Sequence, residues 1–209
     1  RTYWVSPRKL EVIGWGVAPP GPAPPASDRG VLTILCVGRL GRHKGQEWLL
    51  KVYRQARPEF LCRTRLVLVG RDEDGGGVIR SQVQAFGLEQ EVTVTGEVSD
   101  EELAEWYSRS DLFTLFSRYE AFGLSFFEAM AWGVPVLTHD VGANRELLAR
   151  GSVVVPRFDG AAAVGELVRL VNDNEYRQRL GREGREYALA GFTWSAVAEK
   201  YLRVYQGSS

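Results

Sequence analysis

The feature that most constrains the fold is a series of six short runs of apolar residues and threonine, without charged residues, separated by segments of helical spacing. The runs are Val31–Val37, Leu66–Val69, Val92–Thr95, Leu112–Phe116, Val134–Leu137 and Val153–Val155. Strands that are apolar throughout are buried on both faces, and their alternation with helices is typical of a parallel sheet. The sequence therefore predicts an α/β fold with a doubly wound, six-stranded parallel sheet followed by C-terminal helices.

The segments between and after these runs show helical spacing and helix-boundary residues. A capping box at Ser99 and Glu102 opens one helix, Thr193 is a typical N-cap for the last, and Gly133 closes the helix that begins near Gly123. The other predicted helices cover residues 46–56, 78–86, 144–149, 160–172, 175–190 and 194–206.

The N-terminal part of the sequence does not share this alternating pattern of strands and helices. Leu10–Ile13 suggests a short strand and Gly14–Gly16 a turn, and residues 18–26 hold five of the nine prolines, which excludes a helix there. The chain begins with Arg1 and its only methionine is Met130, so we expect a fragment or a processed form.

Composition limits the classes of function. The 209 residues suffice for one sizeable hydrophobic core. The 26 basic and 26 acidic residues give zero net charge, so the overall charge does not favour binding to nucleic acid or to an anionic membrane. No apolar run approaches the ~18 residues of a membrane span and no signal-peptide layout is present. Cys36 and Cys62 lie in or beside apolar runs, so both are predicted to be buried, as suits a soluble cytoplasmic protein.

The residues best suited to bind a ligand lie in the stretch from Ser117 to Glu146. This stretch is predicted to contain the end of a strand, a loop and the start of a helix. Unpaired amides at such a helix start, near Gly123, can bind an anion, whereas Glu120 and Glu128 can accept hydrogen bonds from hydroxyl groups. Together they indicate a ligand with phosphate and hydroxyl groups, such as a phosphorylated sugar or a nucleotide sugar. The alternative is an ordinary strand–helix unit with two solvated glutamates.

A basic loop, Gly38–Gly45, follows the first strand. Its spacing matches neither the dinucleotide nor the P-loop fingerprint. It offers Arg39, Arg42, His43 and Lys44, cations that can neutralise a diphosphate. The alternative is a solvated basic loop. It is less favoured, because parallel strands would bring this loop and the loops at 70–77, 95–99 and 117–124 to one edge of the sheet.

Other candidate residues give weaker indications of a functional role. Asp72 and Asp74 form a D-x-D pair of the kind that holds a divalent metal, but Gly75–Gly77 follows directly, and we expect no metal. His139 ends a strand and could reach the cleft, although no nucleophile partner is identifiable. Tyr107, like the neighbouring Trp106, falls at core spacing and is predicted to serve packing.

Several of these motifs resemble one family. In order and separation they are similar to the C-terminal, donor-binding domain of GT-B glycosyltransferases of family four, the glycosyl transferases group one. The matching stretches are Val37–Leu40 with Lys44-Gly45, Glu120–Leu124, Glu128–Ala131 and Gly133–Val136, and the similarity extends from Val12–Val17 to Phe192–Trp194.

The resemblance implies a Rossmann-like domain of a retaining, metal-independent transferase without a cofactor. Its donor substrate would be a nucleotide sugar, with a UDP-sugar favoured and a GDP- or ADP-sugar also allowed. Glu120 would be the catalytic residue that contacts the transferred sugar, and Glu128 would bind the ribose. The donor-binding set would be Gly38, Arg39, Lys44, Phe122, Gly123, Leu124 and Glu128, with backbone at Gly96 and Val98 for the base.

The resemblance also suggests a division of the chain. Residues 1–29 would be the interdomain linker, 30–192 the donor-binding domain, and 193–209 a C-terminal helix that packs toward an N-terminal domain absent from this chain. That domain would bring the acceptor, so the isolated chain should bind nucleotide without transferring sugar. No nucleic acid is expected as a partner. A dimer is expected through apolar surface on the last helix, and the full-length protein would lie in the cytoplasm or at the cytoplasmic membrane face.

This sequence departs from the family pattern at three places. Gly14-Trp15-Gly16 stands where Pro-Asn-Gly is usual, Gly142-Ala143 replaces a glycine pair, and Arg145 replaces a proline before Glu146. Two other interpretations stay open. One is the corresponding half of a sugar-nucleotide epimerase or a phosphorylase, and the other is a non-catalytic nucleotide-sugar-binding or interaction module.

Overall fold

Six parallel strands form one sheet in a computed structural model that describes residues 11–18, 20–21 and 30–207. The strands are β1 (Val31–Val37), β2 (Arg63–Val69), β3 (Val92–Gly96), β4 (Leu112–Thr114), β5 (Val136–His139) and β6 (Ser152–Val155). Their spatial order is β3-β2-β1-β4-β5-β6. The order reverses between β1 and β4, which defines a doubly wound sheet with its switch point there and confirms the predicted fold class.

Eight α-helices connect or follow the strands in the described part of the chain. They are α1 (Gln46–Ala56), α2 (Gly76–Ala85), α3 (Asp100–Ser108), α4 (Leu124–Ala131), α5 (Asn144–Leu147), α6 (Gly160–Asn172), α7 (Asn174–Gly191) and α8 (Trp194–Gly207). The bounds of α1 and α6 match the predicted ones. The capping box on α3 is present, and Thr193 Oγ1 accepts from the amide of Ala196 as predicted.

Both faces of the sheet are covered. The neighbours Ile34 and Leu35 on β1 point to opposite faces, and both are fully buried. Helix α1 packs against α2 and α6, and α4 packs against α7. Burial on both faces explains why the strands read as continuous apolar runs.

Of the six strands, only β1 keeps the predicted bounds. Strand β2 begins at Arg63 instead of Leu66, and β3 and β6 are each one residue longer than predicted; β4 and β5 differ for physical reasons. Strand β4 ends at Thr114 instead of Phe116, although Leu115 and Phe116 are fully buried. The amide of Leu115 still donates to the carbonyl of Leu137 on β5 at 3.4 Å, so the apolar character of Phe116 alone reflects burial without strand pairing. Strand β5 begins at Val136 instead of Val134, because the amide of Val134 bonds back to the carbonyl of Ala129 and belongs to the turn that ends α4.

The N-terminal predictions need correction where the structure describes them. Residues 11–16 form neither a strand nor a turn; Leu10 and most of the proline-rich segment lie outside the described residues. This segment is placed by packing instead, since a Cβ on Gly14 would lie 2.6 Å from the ring of Phe122. Val17 then makes a parallel bridge with Thr193.

The cysteines also differ. Cys36 is buried as predicted, and burial raises the pKa of its thiol to about 12. Cys62 is exposed, because it precedes β2 in a bend at the amino end of the sheet, where the first residues of the strand are themselves exposed. No helix within residues 11–18, 20–21 and 30–207 is long and apolar enough to cross a membrane.

Candidate functional site

The switch point places the two predicted loops side by side. The loop after β1 and the loop after β4 leave neighbouring strands at their carboxyl ends, and the amide of Arg118 donates to the carbonyl of His43 at 2.7 Å. The loop after β2 follows along the same edge, where Leu40 bridges Asp72. In doubly wound sheets ligands bind in the crevice at this position.

The start of α4 forms one wall of the crevice. Gly123 caps the helix with a left-handed backbone at φ 77°, and no side chain caps it. Among the described residues, none accepts a hydrogen bond from the backbone amides of Phe122, Gly123 or Leu124. These amides and the helix dipole together form a site suited to an anion.

Lys44 and Glu120 face each other beside this helix start. Lys44 Nζ lies 2.9 Å from Glu120 Oε2, and the hydroxyl of Ser117 donates to the same oxygen at 3.1 Å. The side chains of Lys44 and Glu120 are 19% and 11% exposed. The structure thus brings the predicted sugar-contacting carboxylate together with a predicted phosphate-binding cation, and leaves the other carboxylate oxygen of Glu120 for a ligand.

Glu128 lies in the second turn of α4 and has a buried partner. The hydroxyl of Tyr107, at the end of α3, donates to Glu128 Oε2 at 2.7 Å. Burial raises the pKa of the Glu128 carboxyl above its ordinary value, and the hydrogen bond from Tyr107 opposes that rise. The prediction for Tyr107 was therefore incomplete, because its ring packs in the core as expected but its hydroxyl also donates to the candidate site residue Glu128.

The basic loop is fixed by its neighbours. Arg39 forms an ion pair with Glu73, and the buried amide of Gln46 donates to the carbonyls of Gly38 and Arg39. Gly45 closes the loop with φ 72°, and a Cβ there would lie 1.9 Å from the carbonyl oxygen of Phe116. A glycine is therefore required where this loop meets the end of β4.

Two other candidates, His139 and Asp72, have structural contacts. His139 is fully buried: its Nε2 donates to the carbonyl of Ser117, and its Nδ1 accepts from the amide of Phe158, so it supports the loop below Glu120 instead of reaching the cleft. Burial lowers its pKa. Asp72 accepts from the amide of Gly76 and so orders the start of α2. Within the described residues no group of three or more potential metal ligands occurs.

The residues predicted to contact the base lie at one side of the crevice. Gly96 ends β3, two strands from β1, and its carbonyl accepts from the amide of Gly70. Val98 follows in the loop and is partly buried against the core. Both belong to the carboxyl edge that also carries Gly38 and Gly123.

Sequence reasoning missed the supporting residues Ser117, Gln46 and the hydroxyl role of Tyr107. A signal existed for Tyr107 and Gln46, since both fall on the buried faces of predicted helices, where a polar group needs a hydrogen-bond partner. Nothing in the local sequence indicated which partner it would be.

The fold and the crevice together define a class. A doubly wound domain that presents free helix-start amides, cations and two carboxylates at its switch point can hold phosphate and hydroxyl groups at once, as a nucleotide-binding domain must. The sequence profile of the family described as "Glycosyl transferases group 1" matches residues 22–187, and the chain belongs to this family. Its sheet is that of one half of a GT-B glycosyltransferase.

Individual relatives agree. The mannosylfructose-phosphate synthase of Agrobacterium fabrum is 32% identical over 184 residues, which cover 83% of this chain and 40% of that protein. The solved sucrose-phosphate synthase of Thermosynechococcus elongatus is 33% identical with a TM-score of 0.74, over 84% of this chain and 45% of that one. The Anabaena protein HepE, solved in complex with UDP and glucose, shares the fold at 19% identity with a TM-score of 0.76, over 85% of this chain and 49% of that one. The chain thus spans about half the length of the relatives that it matches.

Proposed function

We propose that this chain is the donor-binding half of a retaining, metal-independent glycosyltransferase that moves a sugar from a nucleotide sugar to an acceptor. The observation that carries the proposal is the set of unpaired amides at Phe122, Gly123 and Leu124 beside the Lys44–Glu120 pair. Amides and cations suit the diphosphate, and carboxylates suit the hydroxyl groups on either side of it. A nucleotide sugar carries these groups in the same order.

Each residue then has a separate role in the proposal. Arg39, Lys44 and the amides at Gly123 bind the diphosphate, and the absence of a side chain at Gly38 lets it approach the backbone closely. Glu128 accepts hydrogen bonds from the ribose. Glu120 contacts hydroxyl groups of the transferred sugar next to the reacting carbon. Backbone groups from Gly96 to Val98 meet the base.

The finer parts of the proposal are supported as follows. Arg39 and Lys44 supply the positive charge that a divalent metal would otherwise bring to a diphosphate. UDP is favoured as the nucleotide because the structurally similar HepE was solved with UDP and glucose. The acceptor is expected to be a glycan, a lipid or a small molecule bound by a further domain in the cytoplasm or at the membrane face. Without that further domain to close the cleft, the isolated chain binds nucleotide but does not transfer sugar.

Calorimetric titration of the 209-residue chain with UDP, GDP and ADP tests the donor site directly. We expect saturable binding, tightest for UDP. Absence of binding by all three at millimolar concentration would contradict the proposal and favour a non-catalytic interaction module.

A second titration distinguishes the roles of the two carboxylates, Glu128 and Glu120. Glu128→Ala removes the ribose contact and should weaken UDP about tenfold or more, as expected for a hydrogen bond to a charged group. Glu120→Ala should remove the extra affinity of UDP-glucose over UDP but should not weaken UDP itself, because Lys44 keeps its charge for the diphosphate when its carboxylate partner is removed. Glu89→Ala, an exposed glutamate outside the crevice, is the control. Equal effects of the two crevice variants on both ligands would refute the separate roles.

A further inference from the structure

A second cavity lies beside the crevice, between the start of α1 and the loop that follows β6. It has a volume of about 250 Å3 and is lined by Arg42, Gly45, Glu47, Trp48, Arg118 and Phe158. Neither Lys44 nor Glu120 lines it. The cavity is thus built from different side chains than the proposed donor site, although the same two loops contribute to both.

Its rim carries unpaired positive charge. Arg42 and Arg118 are exposed, and neither has an acidic partner at ion-pair distance among the described residues. A third guanidinium, that of Arg157, donates to the carbonyl of Arg118 at 3.0 Å. Guanidinium groups match the geometry of phosphate oxygens and can bind them in pairs, so the rim favours a phosphate group.

The floor of the cavity is aromatic and held in an unusual conformation. The rings of Trp48 and Phe158 lie edge to face with centroids 5.8 Å apart. Phe158 has φ 54°, the only positive φ outside glycine in the described part of the chain. Its amide donates to His139 Nδ1 at 3.3 Å, which holds the backbone in this strained position. Strain of this kind is retained where the surrounding structure imposes it, often at ligand sites.

The remaining polar group in the lining is the carboxylate of Glu47. It repels a bare phosphate but accepts hydrogen bonds from hydroxyl groups. A ligand that satisfies all three parts carries a phosphate for the arginines, hydroxyl groups for Glu47 and a flat apolar face for the rings. We propose that this cavity binds a sugar carrying a phosphate monoester, separately from the nucleotide.

The site is connected to the crevice through Arg118. This residue lies two positions before Glu120, and its amide donates to the carbonyl of His43, next to Lys44. Arg118 therefore lies on the same loop as Glu120, but its side chain lines the cavity and is not in the proposed donor-binding set.

Titration of the 209-residue chain with glucose 6-phosphate, glucose and inorganic phosphate tests the proposal. We expect saturable binding of glucose 6-phosphate, with both other probes weaker by about tenfold or more. Arg118→Ala and Arg42→Ala should each weaken glucose 6-phosphate by about tenfold, whereas Arg203→Ala, which removes the same charge from an exposed position on α8, should have no effect. Glu47→Ala should weaken glucose 6-phosphate and strengthen inorganic phosphate.

Independence from the donor crevice is measured in the same samples. Saturating UDP should leave the affinity for glucose 6-phosphate unchanged within about twofold, and Arg118→Ala should leave UDP binding unchanged within the same range. Displacement of glucose 6-phosphate by UDP, equal binding of inorganic phosphate, or equal effects of Arg118→Ala and Arg203→Ala would each overturn the proposal. A chain that binds glucose 6-phosphate but no nucleotide would contradict the donor proposal alone.

Discussion

The hydrogen bond from Tyr107 to Glu128 shows how a single residue pair can tune the site. Burial disfavours the charged form of Glu128 and raises its pKa, while the Tyr107 hydroxyl donates to Oε2 and stabilises the carboxylate. A carboxylate accepts hydrogen bonds from ribose hydroxyls more strongly than the protonated acid does. Tyr107 therefore keeps Glu128 ionised, the form that the proposed ribose contact requires, over a wider pH range.

Tyr107→Phe should shift the pH dependence of nucleotide binding. The substitution removes the effect that lowers the pKa of Glu128, so that pKa rises further and UDP affinity is lost at a higher pH as the solution is acidified. Calorimetric titrations with UDP from pH 8 downward measure this midpoint, with Tyr201→Phe on the exposed face of α8 as the control. A midpoint identical to that of the unaltered chain would show that Tyr107 serves packing alone.

The sign of the accompanying stability change follows from linkage. Because the folded-state pKa of Glu128 is raised above its unfolded value, the folded state binds the proton more tightly, and the free energy of unfolding falls as pH rises through that interval. Tyr107→Phe raises the folded-state pKa of Glu128 further and so extends to higher pH the interval over which the free energy of unfolding falls. Its loss of stability relative to the unaltered chain should therefore be larger at neutral pH than at acid pH, and a constant loss would contradict this account.

At this scale the sequence predicted candidate site residues but not the contacts that hold them. Glu120, Glu128 and Lys44 were predicted from their positions at a strand end, a helix start and a basic loop. The Lys44–Glu120 contact joins residues 76 positions apart, and only the strand order brings them together. Cys62 and His139 were misplaced for the same reason, since exposure at a sheet end and burial beneath a loop are properties of the assembled fold.

Among the elements, the start of α4 depends most on backbone geometry. Gly123 and Gly133 flank this helix with the same φ of 77°, but their surroundings differ. A Cβ on Gly123 would lie 2.3 Å from Phe126 Cδ2, whereas the nearest atom to a Cβ on Gly133 is Arg185 Cδ at 3.8 Å. The two positions therefore separate backbone strain from steric conflict at the site.

Gly123→Ala should destabilise the chain and abolish nucleotide binding, and Gly133→Ala should only destabilise it. Both variants place a side chain in the left-handed region, at a cost of about 1 kcal/mol. Gly123→Ala adds the clash with Phe126 and displaces the amides of the anion site. Chemical denaturation and UDP titration of both variants test this, and equal retention of binding would show that the start of α4 does not contact the nucleotide.

The elements themselves were largely predictable because their apolar patterns reflect burial. The pattern failed where a residue is buried without strand pairing, as at Phe116, a core residue beyond the end of β4. It also failed at residues 11–16, which are placed by contacts with Phe122 and Trp194 and have no periodic signal of their own.

The molecule as a whole exposes one apolar face on α8. Trp194, Leu202 and Tyr205 are 55%, 55% and 72% exposed, which fits the apolar surface expected on this helix, whereas Val197 is buried. Exposed apolar area of this kind favours association.

The chain should therefore self-associate as its concentration rises. Leu202→Glu with Tyr205→Glu should shift sedimentation equilibrium toward the monomer, because the added charges must be desolvated in any contact through this face. Ser195→Glu adds charge to α8 at a polar, exposed position and serves as the control. Association that persists in the double variant would place the interface elsewhere.

The central claim is that nucleotide binds at the switch point between β1 and β4. The most direct measurement is a backbone amide NMR titration of the chain with UDP. The account predicts that the amide signals of Phe122, Gly123, Leu124 and Gly38 shift together and saturate at one UDP concentration. Saturable binding with these four signals unmoved would contradict it.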